Sequence, residues 1–158
     1  MLEIASYLGG KGIDILPNLI ARRLYPPSKV ARDIRIELSI SKDQVFQDLG
    51  SRVPFLRLKF TITNWAPVSV KLDRLLINVW FGQPTLHSAV LERRPIRAKK
   101  PGQDITFECE VTSAQKQQIE EFYNKGMQGG LTVYYTAYFE SRVGEIELID
   151  QRITRNTP

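Results

Sequence analysis

Cysteine and histidine are almost missing from this chain, which has one of each, Cys109 and His87. A lone cysteine makes no internal disulfide, and two such side chains are too few for a structural zinc site. A usable glycosylation sequon is also missing, because Asn156-Thr157 is followed by Pro158 where the motif would end. These absences predict a reducing, cytoplasmic compartment. No apolar run approaches the roughly 20 residues that cross a bilayer as a helix. Glu3 and Asp14 interrupt the first residues where a signal peptide would be basic and then apolar. Gly126, Gly129 and Gly130 follow a helical pattern instead of opening one, so no phosphate-cradling loop is expected. Repeats and low-complexity tracts are missing too.

What is present is an ordinary globular composition. The chain has 158 residues, 42% hydrophobic and 25% charged, with net charge +5. That length fits one domain with a modest extension, and its core needs no staple. The charge is uneven: residues 56–112 hold 9 basic and 5 acidic groups, whereas residues 113–158 hold 5 and 6.

Residues 1–30 read as an N-terminal arm, partly helical. Pro17 suits the first position of a helix, and Leu16, Leu19, Ile20 and Leu24 recur at helical spacing. Pro26-Pro27 is expected to stop that helix. Residues 31–158 read as the main domain, where the period changes from 3.6 to 2. Ile34, Ile36, Leu38 and Ile40 alternate with Arg35, Glu37, Ser39 and Ser41. Leu56, Leu58, Phe60 and Ile62 alternate with Arg57, Lys59, Thr61 and Thr63, and Asn64 to Pro67 then forms a turn.

The next run is apolar at Val68, Val70 and Leu72 and then at Leu75, Ile77, Val79 and Phe81. The parity changes between the two sets, which requires a bulge or corner near Asp73-Arg74. A weaker strand is expected over 85–91, and a clean half-buried one carries Ile105, Phe107, Cys109 and Val111. Thr112 with Gln115 fits a capping box, opening a helix with an Ile119, Phe122 and Tyr123 stripe that closes at Lys125-Gly126. A strand over 131–140 follows, with Leu131, Val133, Tyr135 and Phe139 on one face, and Gly144 turns into a last strand ending near Ile153. Seven alternating strands with short turns and one inserted helix predict a mainly β, antiparallel sandwich.

Several constellations carry chemistry on paper. His87 lies beside Thr85 and Ser88 in the weak strand, which favours an exposed or partly packed imidazole over a catalytic one. Cys109 falls on an apolar face, as a buried and unreactive thiol would. Glu108 and Glu110, Glu120 and Glu121, and the late Glu145, Glu147 and Asp150 read as solvated carboxylates. Catalytic residues, metal ligands and cofactors are therefore not expected, and a non-enzymatic protein is. Arg93, Arg94, Arg97, Lys99 and Lys100 form a basic loop, five cations in eight residues. Such a loop contacts an anionic partner or guards a sheet edge. It lacks interleaved aromatics, which disfavours nucleic acid. Leu16, Leu19, Ile20, Leu24, Tyr134 and Tyr138 are candidates for a partner surface, with Trp65 and Trp80 as further exposed aromatics. Expected partners are a protein, a second copy or a membrane surface, with no small-molecule substrate.

Four stretches together resemble the late embryogenesis abundant group-2 family, also called the water-stress and hypersensitive-response (WHy) domain. They are Phe60 to Asn64 with Pro67, Pro67-Val68 through Gly82, Ile96 through Val111, and helix 113–125 followed by Leu131–Phe139. The likeness covers residues 31–153. One departure stands out, because Trp65-Ala66 separates Asn64 from Pro67, which the family usually has adjacent. The resemblance implies a fibronectin-type-III-like sandwich of about seven strands, with one helix before the last two. It also implies an association with desiccation or other stress, and no enzymatic activity. An alternative from a different class is a structural or interaction subunit. It would dock through the arm and the basic loop onto a partner chain, itself or an anionic membrane surface.

Overall fold

The computed structural model describes residues 16–38, 45–48, 50, 52–91, 93–125 and 132–153. Two short helices, α1 (Asn18–Leu24) and α2 (Pro27–Arg32), precede strands β1 (Ile34–Leu38), β2 (Val45–Asp48), β3 (Phe55–Asn64), β4 (Val70–Trp80), β5 (Pro84–Val90), β6 (Arg94–Ile96) and β7 (Gln103–Glu110). Helix α3 (Ser113–Asn124) and strands β8 (Thr132–Ser141) and β9 (Gly144–Ile153) follow.

Among the described residues all pairings are antiparallel, and they make two sheets. In the first, β3 is central, with β7 along one side and β1 and β2 end to end along the other. In the second, β4 has β5 and β6 end to end on one side and β8 on the other, with β9 outside β8. This is the expected sandwich, with one helix before its last two strands. The alternating residues meet between the sheets. Phe60 and Phe107 of the first and Phe139 of the second are the largest fully buried side chains. Each removes enough apolar surface from water to stabilise the fold by about 3 kcal/mol.

The parity change in β4 is a bulge. Leu72 pairs with Phe139 and Arg74 with Tyr138, leaving Asp73 as the extra residue. A second bulge interrupts β9, where Tyr135 faces Gln151 but Ala137 faces Leu148. There Asp150 takes φ 47°, and its N–H donates to Thr136 Oγ1 at 3.1 Å. The capping box forms as the spacing predicts: the Thr112 N–H donates to Gln115 Oε1 at 2.8 Å and the Gln115 N–H to Thr112 Oγ1 at 3.3 Å.

Three local expectations are corrected. Pro27 does not merely end a helix; it occupies the first turn of α2, where its missing N–H costs nothing. The basic loop is partly a strand, since Arg94–Ile96 pairs with Leu72–Val70 and buries Ile96. The strands number nine among the described residues, because β2 and β6 are too short to show a period. The expected strand residue Leu131, the helix-closing Gly126 and the turn glycines Gly129 and Gly130 lie outside the described residues.

Candidate interaction surface

Strand register brings distant segments to one end of the sandwich. β3 ends there at Asn64, which pairs with Ile34 at the start of β1. β4 begins there at Val70, which pairs with both Ile96 of β6 and Ser141 of β8. Asn64 organises this corner. It is buried, its side-chain amide donates to the carbonyls of Val68 at 2.9 Å and Ile96 at 3.4 Å, and its Oδ1 accepts the Ala66 N–H at 3.0 Å. Trp65 and Ala66, which stand between Asn64 and Pro67, thus lie in a turn closed by the asparagine itself, with Ala66 buried and Trp65 59% exposed.

Backbone bonds tie the neighbouring segments to that corner. The Trp65 N–H donates to Asp33 O at the end of α2, and the Lys99 N–H donates to Asn64 O, each at 2.9 Å. Lys99 turns the chain at φ 49°. The helix pair is anchored from the other sheet: Arg142, in the β8–β9 turn, donates to the Leu16 carbonyl, and Gly144 at φ 127° lies against the Pro27 ring.

The stripe expected on the arm divides here. Leu16 packs on the core, and Ala21 and Val30 are the residues that α1 and α2 bury. Leu19 is 82% exposed, Leu24 51% and Ile20 47%. A helix this short docks through one small side chain, and its large apolar ones stay in water.

The five cations of the basic segment also divide. Arg93 lies 3.6 Å from the Asp73 carboxylate, and Arg94 donates to the Asp104 carbonyl at 2.7 Å, linking β6 to β7 across the two sheets. Arg97, Lys99 and Lys100 are exposed around the corner turn. Residues 18–32 add Arg22, Arg23, Lys29 and Arg32 and contain no acid. Lys29 Nζ stands 4.6 Å over the Tyr25 ring. Ion pairs among the described residues take up none of Arg22, Arg23, Arg32, Arg97, Lys99 or Lys100. Sequence reasoning singled out the apolar arm and the basic segment separately. It passed over the four helix cations, whose signal was the missing acid between Asp14 and Asp33.

The other candidates lie elsewhere. Tyr134 and Tyr138 face outward from the second sheet, each with a partner: the Trp80 ring is 5.2 Å from Tyr134, and the Arg74 guanidinium is 4.0 Å over Tyr138. These contacts brace neighbouring strands. A depression of about 170 Å³ beside Tyr138 is lined by Asp73, Arg74, Glu140, Glu145 and Glu147. His87 is exposed on β5, with Nδ1 2.7 Å from Asn78 Oδ1 of β4. Cys109 is half-buried on the edge strand β7, and burial pushes its thiol pKa up. Burial also raises the Tyr135 hydroxyl to about 12.

The outer face of the first sheet is a ladder of opposite charges. Arg57 bonds Glu108 at 2.7 Å, and Asp104 takes Lys59 at 2.7 Å and the Thr61 hydroxyl at 2.8 Å. Those bonds from Lys59 and Thr61 hold the Asp104 carboxyl below its ordinary value. No group of three or more His, Cys, Asp or Glu arranged to hold a metal occurs among the described residues. No described helix is long and apolar enough to cross a membrane.

Neither a protein-family model nor a curated protein matches this sequence. Solved structures match at low identity. Northeast Structural Genomics Consortium target SoR45 is 16% identical with TM-score 0.47, over 82% of this chain and 92% of that one. A Bordetella pertussis protein is 13% identical with TM-score 0.45, over 78% and 94%. An Archaeoglobus fulgidus protein is 8% identical with TM-score 0.40, over 79% and 97%.

Proposed function

We propose that this protein acts without catalysis, as a β-sandwich of the desiccation or water-stress type that works through surface contacts with proteins or membranes. The stress association comes from the sequence resemblance to the late embryogenesis abundant group-2 family. The observation that carries the surface mode is how the buried polar side chains are used. Asn64, Thr85 and Thr136 are the buried polar residues among those described. Each is engaged in local structure: Asn64 in the corner, Thr136 in the β9 bulge, and Thr85 with its hydroxyl donating to Gln83 O at 3.0 Å. Exposed groups such as Trp65, Arg97, Lys99 and Lys100 are then free for a partner to touch. A drying assay tests the stress role: a labile enzyme dried with this protein retains more activity than one dried with equal mass of an unrelated globular protein. Equal loss in both arms sinks it.

One observation favours a second reading, an interaction subunit that docks through its N-terminal arm and basic segment. Leu19, Ile20, Leu24 and Trp65 are exposed at the end where Arg97, Lys99 and Lys100 also lie. Its test is association in solution, with itself, a protein or a vesicle, compared between the native chain and a Leu19→Asp/Leu24→Asp variant. Association that ignores the substitutions excludes the arm as the contact.

A further inference from the structure

We infer that the helix-pair end of the sandwich is a docking face for an anionic lipid bilayer, an inference that rests on the docking reading just given. Three exposed features from separate parts of the sequence meet there: the apolar side chains of α1, Trp65 of the β3–β4 corner, and the basic turn after β6. The hydrogen bonds from Lys99 to Asn64 and from Trp65 to Asp33 hold the turn, the corner and α2 in fixed relation.

The chemistry matches a membrane surface in two respects. Leu19, Ile20 and Leu24 supply apolar groups at a helix exposed on nearly every side, and a tryptophan suits the boundary between headgroup and acyl chain. Arg22, Arg23, Lys29 and Arg32 on the helices, with Arg97, Lys99 and Lys100 on the turn, supply seven cations. Acidic phospholipid headgroups attract such cations, each strengthening binding about fivefold. Apolar contact and charge attraction are both needed, because neither alone anchors a protein firmly.

The same charge pattern argues against a second copy as the occupant. A symmetric dimer through this face would set its cations against the same cations of the partner, and like charges in apposition are costly. Duplex nucleic acid would use the cations but leave Leu19, Ile20 and Leu24 in water.

Vesicle flotation with the full chain tests the inference. Vesicles of 70% phosphatidylcholine and 30% phosphatidylserine should carry the protein, and pure phosphatidylcholine should not. Binding should weaken more than tenfold between 50 mM and 500 mM salt. Arg22→Gln with Arg23→Gln should weaken it about 25-fold, which is two fivefold steps. Leu19→Ser with Leu24→Ser should weaken it about tenfold or more. In a Trp80→Phe background, Trp65 emission should shift to the blue when anionic vesicles are added.

Any of these results overturns the inference: no flotation at 50 mM salt; flotation indifferent to the leucine pair; a concentration-dependent dimer abolished by that pair; or tighter binding to duplex DNA that ignores it. A clear drop in unfolding stability of the leucine variant also overturns it, because the apolar face would then be covered within the chain. The drying assay contains no lipid, so failure of flotation leaves the stress role standing and failure of drying protection leaves the docking face standing.

Discussion

The two ends of this sandwich both carry helix, yet they use it in opposite ways. At one end α3 lies against β5 and turns its apolar residues inward. Ile119 and Phe122 are buried, and the Phe122 ring meets Phe81 edge-on at 5.8 Å. Gln115 donates to the Thr85 carbonyl at 3.1 Å, fastening the first turn to the sheet. Charges there find partners on the helix itself, as in Lys116 with Glu120 at 3.7 Å and Gln117 donating to Glu121 at 3.1 Å. At the other end α1 buries Ala21 alone and leaves Leu19, Ile20 and Leu24 exposed beside cations with no acid in the segment. Amphipathicity therefore does not by itself say that a helix packs. α3 has twelve residues, long enough to present a stripe to a sheet; α1 has seven, about two turns.

The sharpest way to break the comparison is to truncate the packed end. Phe122→Ala should cost about 3 kcal/mol in urea unfolding, because it empties a buried aromatic site against Phe81. At the opposite end the largest single loss should come from Asn64→Ala, about 2 kcal/mol, since it strands buried backbone groups at Ala66 and Val68. Removing the cap of α3 with Thr112→Ala should lower stability by about 1 kcal/mol. Leu19→Ser should leave stability within about 0.5 kcal/mol of native, because its side chain is already in water. If Leu19→Ser destabilises the fold as much as Phe122→Ala, the two ends are alike and the contrast fails.

The smallest expected effect concerns the charged face between them. Asp104 has a depressed carboxyl, so its contribution to stability is complete above the ordinary value of 3.8 and fades as pH falls through the lowered one. Carboxyl titration followed by NMR should place its midpoint below 3.8, and Lys59→Met should move that midpoint upward. The effect on stability should be slight, since the pair is largely solvated.

Legibility in the sequence followed the length and regularity of each element. β3 and β7 were readable because apolar and polar residues alternating over eight or more positions read as a half-buried strand. The break at Asp73 was readable because a parity change in an otherwise regular strand demands a bulge or a corner, and pairing with β8 made it a bulge. β2 and β6 escaped notice: four and three residues cannot establish a period, and β6 lies inside a run of cations. Whether the α1 leucines pack on the sandwich or stay exposed was left open for another reason. Helical spacing reports that residues share a face, and it does not report which neighbour that face meets. The split of the basic cluster likewise depended on Asp73, which approaches Arg93 through the β4–β6 pairing, and on Asp104, which meets Arg94 across the two sheets.

The amino-acid order by itself determined where strands alternate, where β4 must bulge or turn a corner and where α3 is capped, because each is settled among residues within a few positions. Only the tertiary structure decided that a helix from the first thirty residues, a tryptophan from the sixties and a basic turn near residue 100 would share one end. That meeting follows from which strand ends coincide across two sheets. Such coincidence is a property of register between segments far apart in the chain, where local physics is silent.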